Sequence, residues 1–300
     1  LVVGDSFVFG WGVRAEESWP ERLEQGLAGV EVANLGEPGA SPFQYANLVD
    51  RTVPLLKPDV VVVGISESND LDQSTPQETP TVFRSFLRRP LVYLLPNLSD
   101  MLYQRRHPSE YKPLHPVWVQ QAGFVLSTVT PEEMAHFGRL APDVQDYYRK
   151  GLINPSELAE VLRQPGHVHS FNVQDPAVQG QIGIMAHQLE RIRKRCEAYG
   201  AQLLVVGIPA AVCVNRPAFE GQRKAGFQLS DQLLAFDGYD QAAAQAAAAA
   251  RVPFVSAQRE FRAQQDTAGL YFSLDNHLAP AGDKLLAQVV QPQVEVLLKR

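Results

Sequence analysis

Leu1-Val2-Val3-Gly4-Asp5-Ser6-Phe7 opens the chain. An apolar, largely β-branched run stops at a Gly-Asp-Ser turn, which reads as a short buried strand followed by a polar corner. In open α/β sheets ligands bind outside the carboxyl ends of the strands. The reading therefore delivers the Ser6 hydroxyl to the edge of the sheet where chemistry takes place. Alone, such a serine only caps or solvates the chain; the buried strand before it makes it a nucleophile candidate.

Strand and helix signals alternate outward from this point. Ser18-Trp19-Pro20-Glu21 reads as a helix start, with Ser18 as cap, proline in the first turn and Glu21 three residues on as in a capping box. Val30 to Asn34 alternates as a strand does. Ser41-Pro42 opens a helix to about Leu55, and Val60-Val61-Val62-Val63 is a run buried on both faces, as in a parallel sheet. After residue 180 the alternation returns. Gln181–Tyr199 carries Ile182, Met185, Leu189 and Ile192 at helical spacing, and Leu203–Ile208 is a second buried strand. Asp240–Arg251 is an alanine-rich helix, Pro253–Ser256 a fifth strand and Pro280–Leu298 a closing helix. Five strands with crossover helices predict an α/β protein. The expected architecture is a three-layer α/β/α sandwich on a flavodoxin-like, five-stranded parallel sheet.

Between these halves, residues 71–179 lack the alternation and are rich in proline and aromatics. Helical patterns at Glu132–Leu140 and Pro155–Leu162 suggest a mostly helical insertion, leaving 1–70 and 180–300 as the core. Phe83, Phe86, Leu91 and Tyr93 need burial, against the sheet edge or as a cap that forms one wall of an acyl pocket. Long excursions from a catalytic edge are often lids, and a packed appendage is the other reading.

The 300 residues, 45% hydrophobic and 20% charged, are ordinary for a folded chain, and the net charge of −6 disfavours general nucleic-acid binding. No apolar run approaches the roughly 18 residues of a membrane span. The chain starts inside a core strand without methionine, which reads as a trimmed N-terminus and leaves the compartment open to a lost signal or anchor. Cys196 and Cys213 flank the Gln202–Ile208 strand, roughly 20 Å apart at about 3.3 Å per residue. That exceeds the roughly 7 Å Cα limit of a disulfide, so free thiols are expected.

Ser6 has company further along: Gly39 in Asn34-Leu35-Gly36-Glu37-Pro38-Gly39, Asn69 in Glu67-Ser68-Asn69-Asp70, and Asp275-Asn276-His277 before the last helix. Serine, glycine, asparagine and histidine in this order resemble the four blocks of the SGNH, or GDSL, hydrolase superfamily. The resemblance covers roughly 1–70 and 180–300. It implies Ser6 as nucleophile, His277 as base and Asp275 as the acid that holds the imidazole. The Ser6 and Gly39 N–H groups and the Asn69 amide would form the oxyanion hole, with Gly36 a rival to Gly39. Two positions depart from the family pattern. Glu67 stands where the third block has glycine, and Asp-x-His replaces Asp-x-x-His, a spacing that resembles the related polysaccharide O-acetyltransferases.

The expected activity is hydrolysis of carboxylic esters through an acyl-serine, without cofactor, on a small-molecule or carbohydrate ester. An O-acyltransferase using a carbohydrate hydroxyl is the alternative, and a non-catalytic binding module on the same fold a third reading. Other motifs are weaker. His167-x-His169 has no neighbouring ligands and neither cysteine has metal-ligand spacing, so no metal site is expected. Gly10-Trp11-Gly12 lacks the third glycine of a dinucleotide fingerprint. Asp70 and Asp72 read as solvated loop acids, and Arg105-Arg106-His107 as an exposed basic turn.

Overall fold

The computed structural model describes residues 1–67, 69–71, 114–166 and 171–299. Two compact units divide the chain: Leu1–Pro76 together with Gly166–Arg300, and Gln77–Pro165.

The first unit is built on five strands, β1 (Val2–Gly4), β2 (Asn34–Gly36), β3 (Val60–Ser66), β4 (Gln202–Ile208) and β5 (Phe254–Ser256). They form one parallel sheet in the order β2-β1-β3-β4-β5, so the flavodoxin-like three-layer expectation holds. β3 is buried at every residue, as its unbroken β-branched run requires. β2 is shorter and later than the expected Val30–Asn34. Pairing with β1 runs from Val2↔Asn34 to Gly4↔Gly36, so β1's own three residues limit the ladder.

The helices of this unit are α1 (Ser6–Phe9), α2 (Trp19–Gly26), α3 (Pro42–Leu56), α8 (Pro176–Ala198), α9 (Ala211–Val214), α10 (Arg216–Ala225), α11 (Gly238–Ala250), α12 (Gln258–Arg262) and α13 (Pro280–Leu298). α8 packs between α3 and α11, while α2 packs on α13. The alanines of α11 serve this contact. Ala242, Ala243, Ala246, Ala247 and Ala250 are all buried, and their small side chains let α8 approach closely. Arg191 and Arg195 on α8 both pair with Asp50 on α3, each at 2.9 Å.

α2 starts at Trp19 as expected, yet Ser18 does not cap it: its hydroxyl donates back to Ala15 O. The open Trp19 N–H instead donates to Asp283 Oδ1 on α13, 2.8 Å away and 264 residues distant in sequence. A carboxylate at a helix N-terminus meets both the free N–H and the helix dipole. Helices α9 and α10, not anticipated above, fill the long link between β4 and β5. Cys196 and Cys213 are free and buried, and burial pushes both thiols up to about 12.

The second unit contains α4 (Leu114–Thr128), α5 (Pro131–Arg139), α6 (Pro142–Arg149) and α7 (Pro155–Arg163), with α4 packing on α6 and α7. α5 begins with a full capping box: the Thr130 hydroxyl accepts from Glu133 N and the Glu133 carboxylate accepts from Thr130 N. Phe83, Phe86, Leu91 and Tyr93, like Asp72, Arg105, Arg106, His107, His167 and His169, lie outside the described residues. No helix among the described residues is long and apolar enough to cross a membrane.

Candidate active site

Ser6 follows β1 directly and begins α1. Asp5, the N-cap, is fully buried, and its Oδ1 accepts from Phe7 N at 2.9 Å. That cap turns the chain at the sheet edge and leaves the Ser6 hydroxyl facing the loop before α13. His277 Nε2 lies 2.7 Å from Ser6 Oγ. The opposite ring nitrogen, Nδ1, is hydrogen-bonded to Asp275 Oδ1. The same oxygen accepts from the His277 backbone N–H at 2.9 Å, an Asx-type turn. The two-residue spacing thus works through one oxygen that fixes both the backbone and the ring of His277. Burial opposes charge on Asp275, but the bond to His277 and the histidine's charge outweigh it and hold the carboxyl below its ordinary range.

The loop carrying this pair is anchored from several sides. Tyr271 bridges to Leu278, Phe272 N donates to His277 O at 3.0 Å, and Tyr271 OH donates to Pro209 O at 2.9 Å. On α10, Gly221 sits so close that a Cβ there would lie 1.7 Å from Ser273 O.

Asn69 lies in the turn after β3, with its Nδ2 3.4 Å from Asp5 Oδ2. Ser6, His277 and Asp275 thus form one chain of contacts, and Asn69 reaches Asp5, the residue before Ser6. Asp70 is the correction here. Expected as a solvated loop acid, it is fully buried. It accepts from Tyr45 OH at 2.7 Å and from Ser66 N at 2.9 Å. Burial and the neighbouring Asp5 raise its carboxyl well above the usual range. Burial raises Asp5 as well, against the Phe7 N–H and the Asn69 amide.

Between the rival glycines the geometry discriminates. Gly36 N donates to Asn34 Oδ1 at 2.9 Å, and a Cβ on Gly36 would lie 2.1 Å from Phe9 N. Its role is to let α1 approach β2. Gly39 is exposed, with φ +78, and nothing lies within 4 Å of a Cβ position there. Among the described residues neither the Ser6 nor the Gly39 N–H has an acceptor.

Sequence reasoning missed two aromatic neighbours of His277. The Phe7 ring is 4.8 Å and the Trp11 ring 6.0 Å from the His277 ring, centroid to centroid. Trp11 belongs to the Gly10-Trp11-Gly12 turn, tied to α1 by Trp11 N donating to Ser6 O at 3.1 Å. Its closeness to Ser6 in sequence was the available signal. Among the described residues no group of His, Cys, Asp and Glu is arranged to hold a metal ion. A cavity of about 360 Å³ lies elsewhere, beside β5, lined by Asp237, Asp240 and Arg262 among others and by none of Ser6, Asp275 and His277.

A parallel sheet in the order β2-β1-β3-β4-β5 thus brings a serine, a histidine and an aspartate together at its carboxyl edge. Residues 170–298 match the family model of the SGNH hydrolase-like domain of the acetyltransferase AlgX. That segment contains Asp275 and His277 and does not reach Ser6. The chain is also similar to the crystal structure of TesA, at 12% identity over 99% of this chain and 98% of that one, with a TM-score of 0.46. A member of the lipolytic G-D-S-L family from Veillonella parvula DSM 2008 is similar at 11% identity over 100% and 97%, with a TM-score of 0.43. No curated protein matches by sequence.

Proposed function

We propose that the chain is a serine hydrolase that cleaves carboxylic esters through an acyl-Ser6 intermediate. The observation that carries this reading is the continuous contact Ser6 Oγ to His277 Nε2 at 2.7 Å, with Asp275 on the far ring nitrogen. A serine hydroxyl needs such a base to become a nucleophile at neutral pH.

Ser6 Oγ attacks the ester carbonyl as its proton passes to His277 Nε2. The carbonyl oxygen becomes an oxyanion and takes hydrogen bonds from the Ser6 and Gly39 N–H groups and the Asn69 amide. Collapse of the intermediate breaks the C–O bond to the alcohol, which leaves with the proton from Nε2. Water then gives its proton to Nε2 and attacks the acyl carbon, and the carboxylic acid departs as Ser6 recovers its hydrogen. Asp275 keeps Nδ1 protonated throughout, so that Nε2 is free to accept, and it stabilises the imidazolium that forms twice per turnover.

A second reading changes only the acceptor: a carbohydrate hydroxyl replaces water, and the product is an O-acyl sugar. The match to the acetyltransferase domain over residues 170–298 favours it.

The test is Ser6→Ala. It is expected to abolish turnover of 4-nitrophenyl acetate with the fold unchanged, and a fluorophosphonate probe should label Ser6 in the wild type only. Labelling elsewhere, or unchanged turnover, refutes the assignment. Turnover with and without a sugar acceptor, followed by mass spectrometry of the sugar, separates the two acceptors.

A further inference from the structure

Glu67 occupies the position where the resembling family has glycine, and it is 1% exposed. It continues from β3, with its N–H donating to Ile208 O at 3.2 Å. Among the described residues, no N–H or O–H group donates to either of its carboxylate oxygens. Its side-chain partner is another acid, Asp240 in the first turn of α11. Asp240 Oδ1 is likewise buried without a donor.

Two carboxyl groups can satisfy each other only if one of them keeps a proton. Glu67 is the more deeply buried of the two, and its burial assigns the proton to it. Donors and charges on the surrounding elements are committed elsewhere. Arg262 of α12 is held by Asp237 and donates to Phe236 O at 2.7 Å. Gln258 Nε2 donates to Asp237 Oδ1 at 2.8 Å, and Tyr271 OH is taken by Pro209 O. The Cys213 thiol is held neutral by burial. Room for the acid comes from β4: a Cβ on Gly207 would lie 2.6 Å from Glu67 Oε1.

The turn that follows presents Asn69. Asn69 N and Asp70 N both donate to Ser66 O, and Ser66 N donates to Asp70 Oδ2. The turn is therefore pinned at Ser66 by Asp70 and at Glu67 by Asp240. We propose that Glu67 is a positioning residue whose proton, shared with Asp240, ties the Ser66–Asp70 turn to α11 and so sets where the Asn69 amide points. This rests on the reading of Asn69 as an oxyanion donor. Burial, then Asp240, raises the Glu67 carboxyl well above its usual range, while Arg262 pulls it back. The folded state thus holds a proton that the unfolded chain releases above about pH 4.3. Stability contributed here falls as pH rises from there towards the folded value.

Three proteins decide the matter: wild type, Glu67→Gln and Glu67→Gly. Each is assayed for kcat and KM on 4-nitrophenyl acetate, for fluorophosphonate labelling and for Tm, between pH 5 and 9. Glutamine donates to Asp240 at every pH. It is expected to keep kcat within about threefold of wild type at neutral pH and to lose less Tm on going to alkaline pH. Glycine removes the tie and is expected to lower kcat by about tenfold or more with KM little changed. A Tm–pH slope in Glu67→Gln equal to wild type overturns the shared proton. A kcat in Glu67→Gly within twofold of wild type overturns the positioning role. If glycine does not fold, the glutamine comparison still decides. A wild type neither labelled nor active overturns the functional reading and Asn69's role with it, while the Tm comparison still tests the proton.

Discussion

Replacing Asp275 by asparagine and by alanine separates the two services its Oδ1 performs. One oxygen accepts from the His277 N–H and from Nδ1. Asparagine in the same pose keeps an oxygen there, so the turn and the tautomer survive and only the charge is lost. Opposite charges about 4 Å apart at an effective dielectric of about 20 attract by roughly 4 kcal/mol. The Asp275 side chain is 35% exposed, so water removes about half of that. The remaining roughly 2 kcal/mol predicts a loss in kcat of about 30-fold for Asp275→Asn. Alanine also frees the ring to turn and to take the wrong tautomer, and should cost on the order of 10⁴-fold. The assay is steady-state hydrolysis of 4-nitrophenyl acetate, with the fluorophosphonate labelling rate as a second readout that needs no deacylation. Both variants should show KM close to wild type. If asparagine is as damaging as alanine, the amide has flipped, and the claim that one oxygen serves both donors is wrong. If neither loses more than threefold, Asp275 does not orient the base.

Asn69→Ala should lower kcat by about 10²–10³ with KM nearly unchanged; a raised KM at constant kcat would make Asn69 a substrate-binding residue only. Gly221→Ala drives a methyl into Ser273 O, and overpacking of this kind costs about 1–3 kcal/mol. Both Tm and kcat should fall together, because the displaced carbonyl is two residues from Asp275; a drop in Tm alone would uncouple α10 from the site. Burial raises the Asp283 carboxyl to about 7, with the Trp19 N–H and Arg22 pulling it back. The folded state therefore holds a proton that the unfolded chain has lost, and stability from this group falls as pH rises from about 4 to about 7. Denaturant unfolding at pH 5 and pH 8 should show a smaller difference in Asp283→Asn than in wild type, and an equal difference would refute the linkage.

What the sequence disclosed was local, and what it withheld was tertiary. β3 is legible because a run of β-branched residues without polar interruption has one stable home, a sheet covered on both faces. The Ser6 and His277 neighbourhoods were legible because each sits where a strand signal ends or a helix signal begins. Ser18 was misread as a cap because the donor's true partner, Asp283, is brought up by α13 from the far end of the chain. Asp70 was misread for the same reason: its partner Tyr45 lies on α3, and nothing in Ser68-Asn69-Asp70 itself announces that the turn is covered. The choice between Gly36 and Gly39 depended on β2 ending at Gly36, and thus on a register that the alternation at Val30–Asn34 placed too early.

The two departures from the family pattern share a physical consequence. Asp-x-His leaves too little chain for the acid to come from a separate turn, so acid and base form one anchored unit. Its position over Ser6 is set by Tyr271, Gly221 and the start of α13. Glu67 likewise removes the freedom that a glycine would give the turn carrying Asn69 and ties that turn to α11. His277 and the turn carrying Asn69 are thus each held by helices beyond β4, whereas Ser6 opens α1 just after β1. The nucleophile and the groups proposed to activate it meet only when β1, β3 and β4 are in register. Turnover should therefore vanish with the cooperative loss of this sheet rather than fade with local fraying.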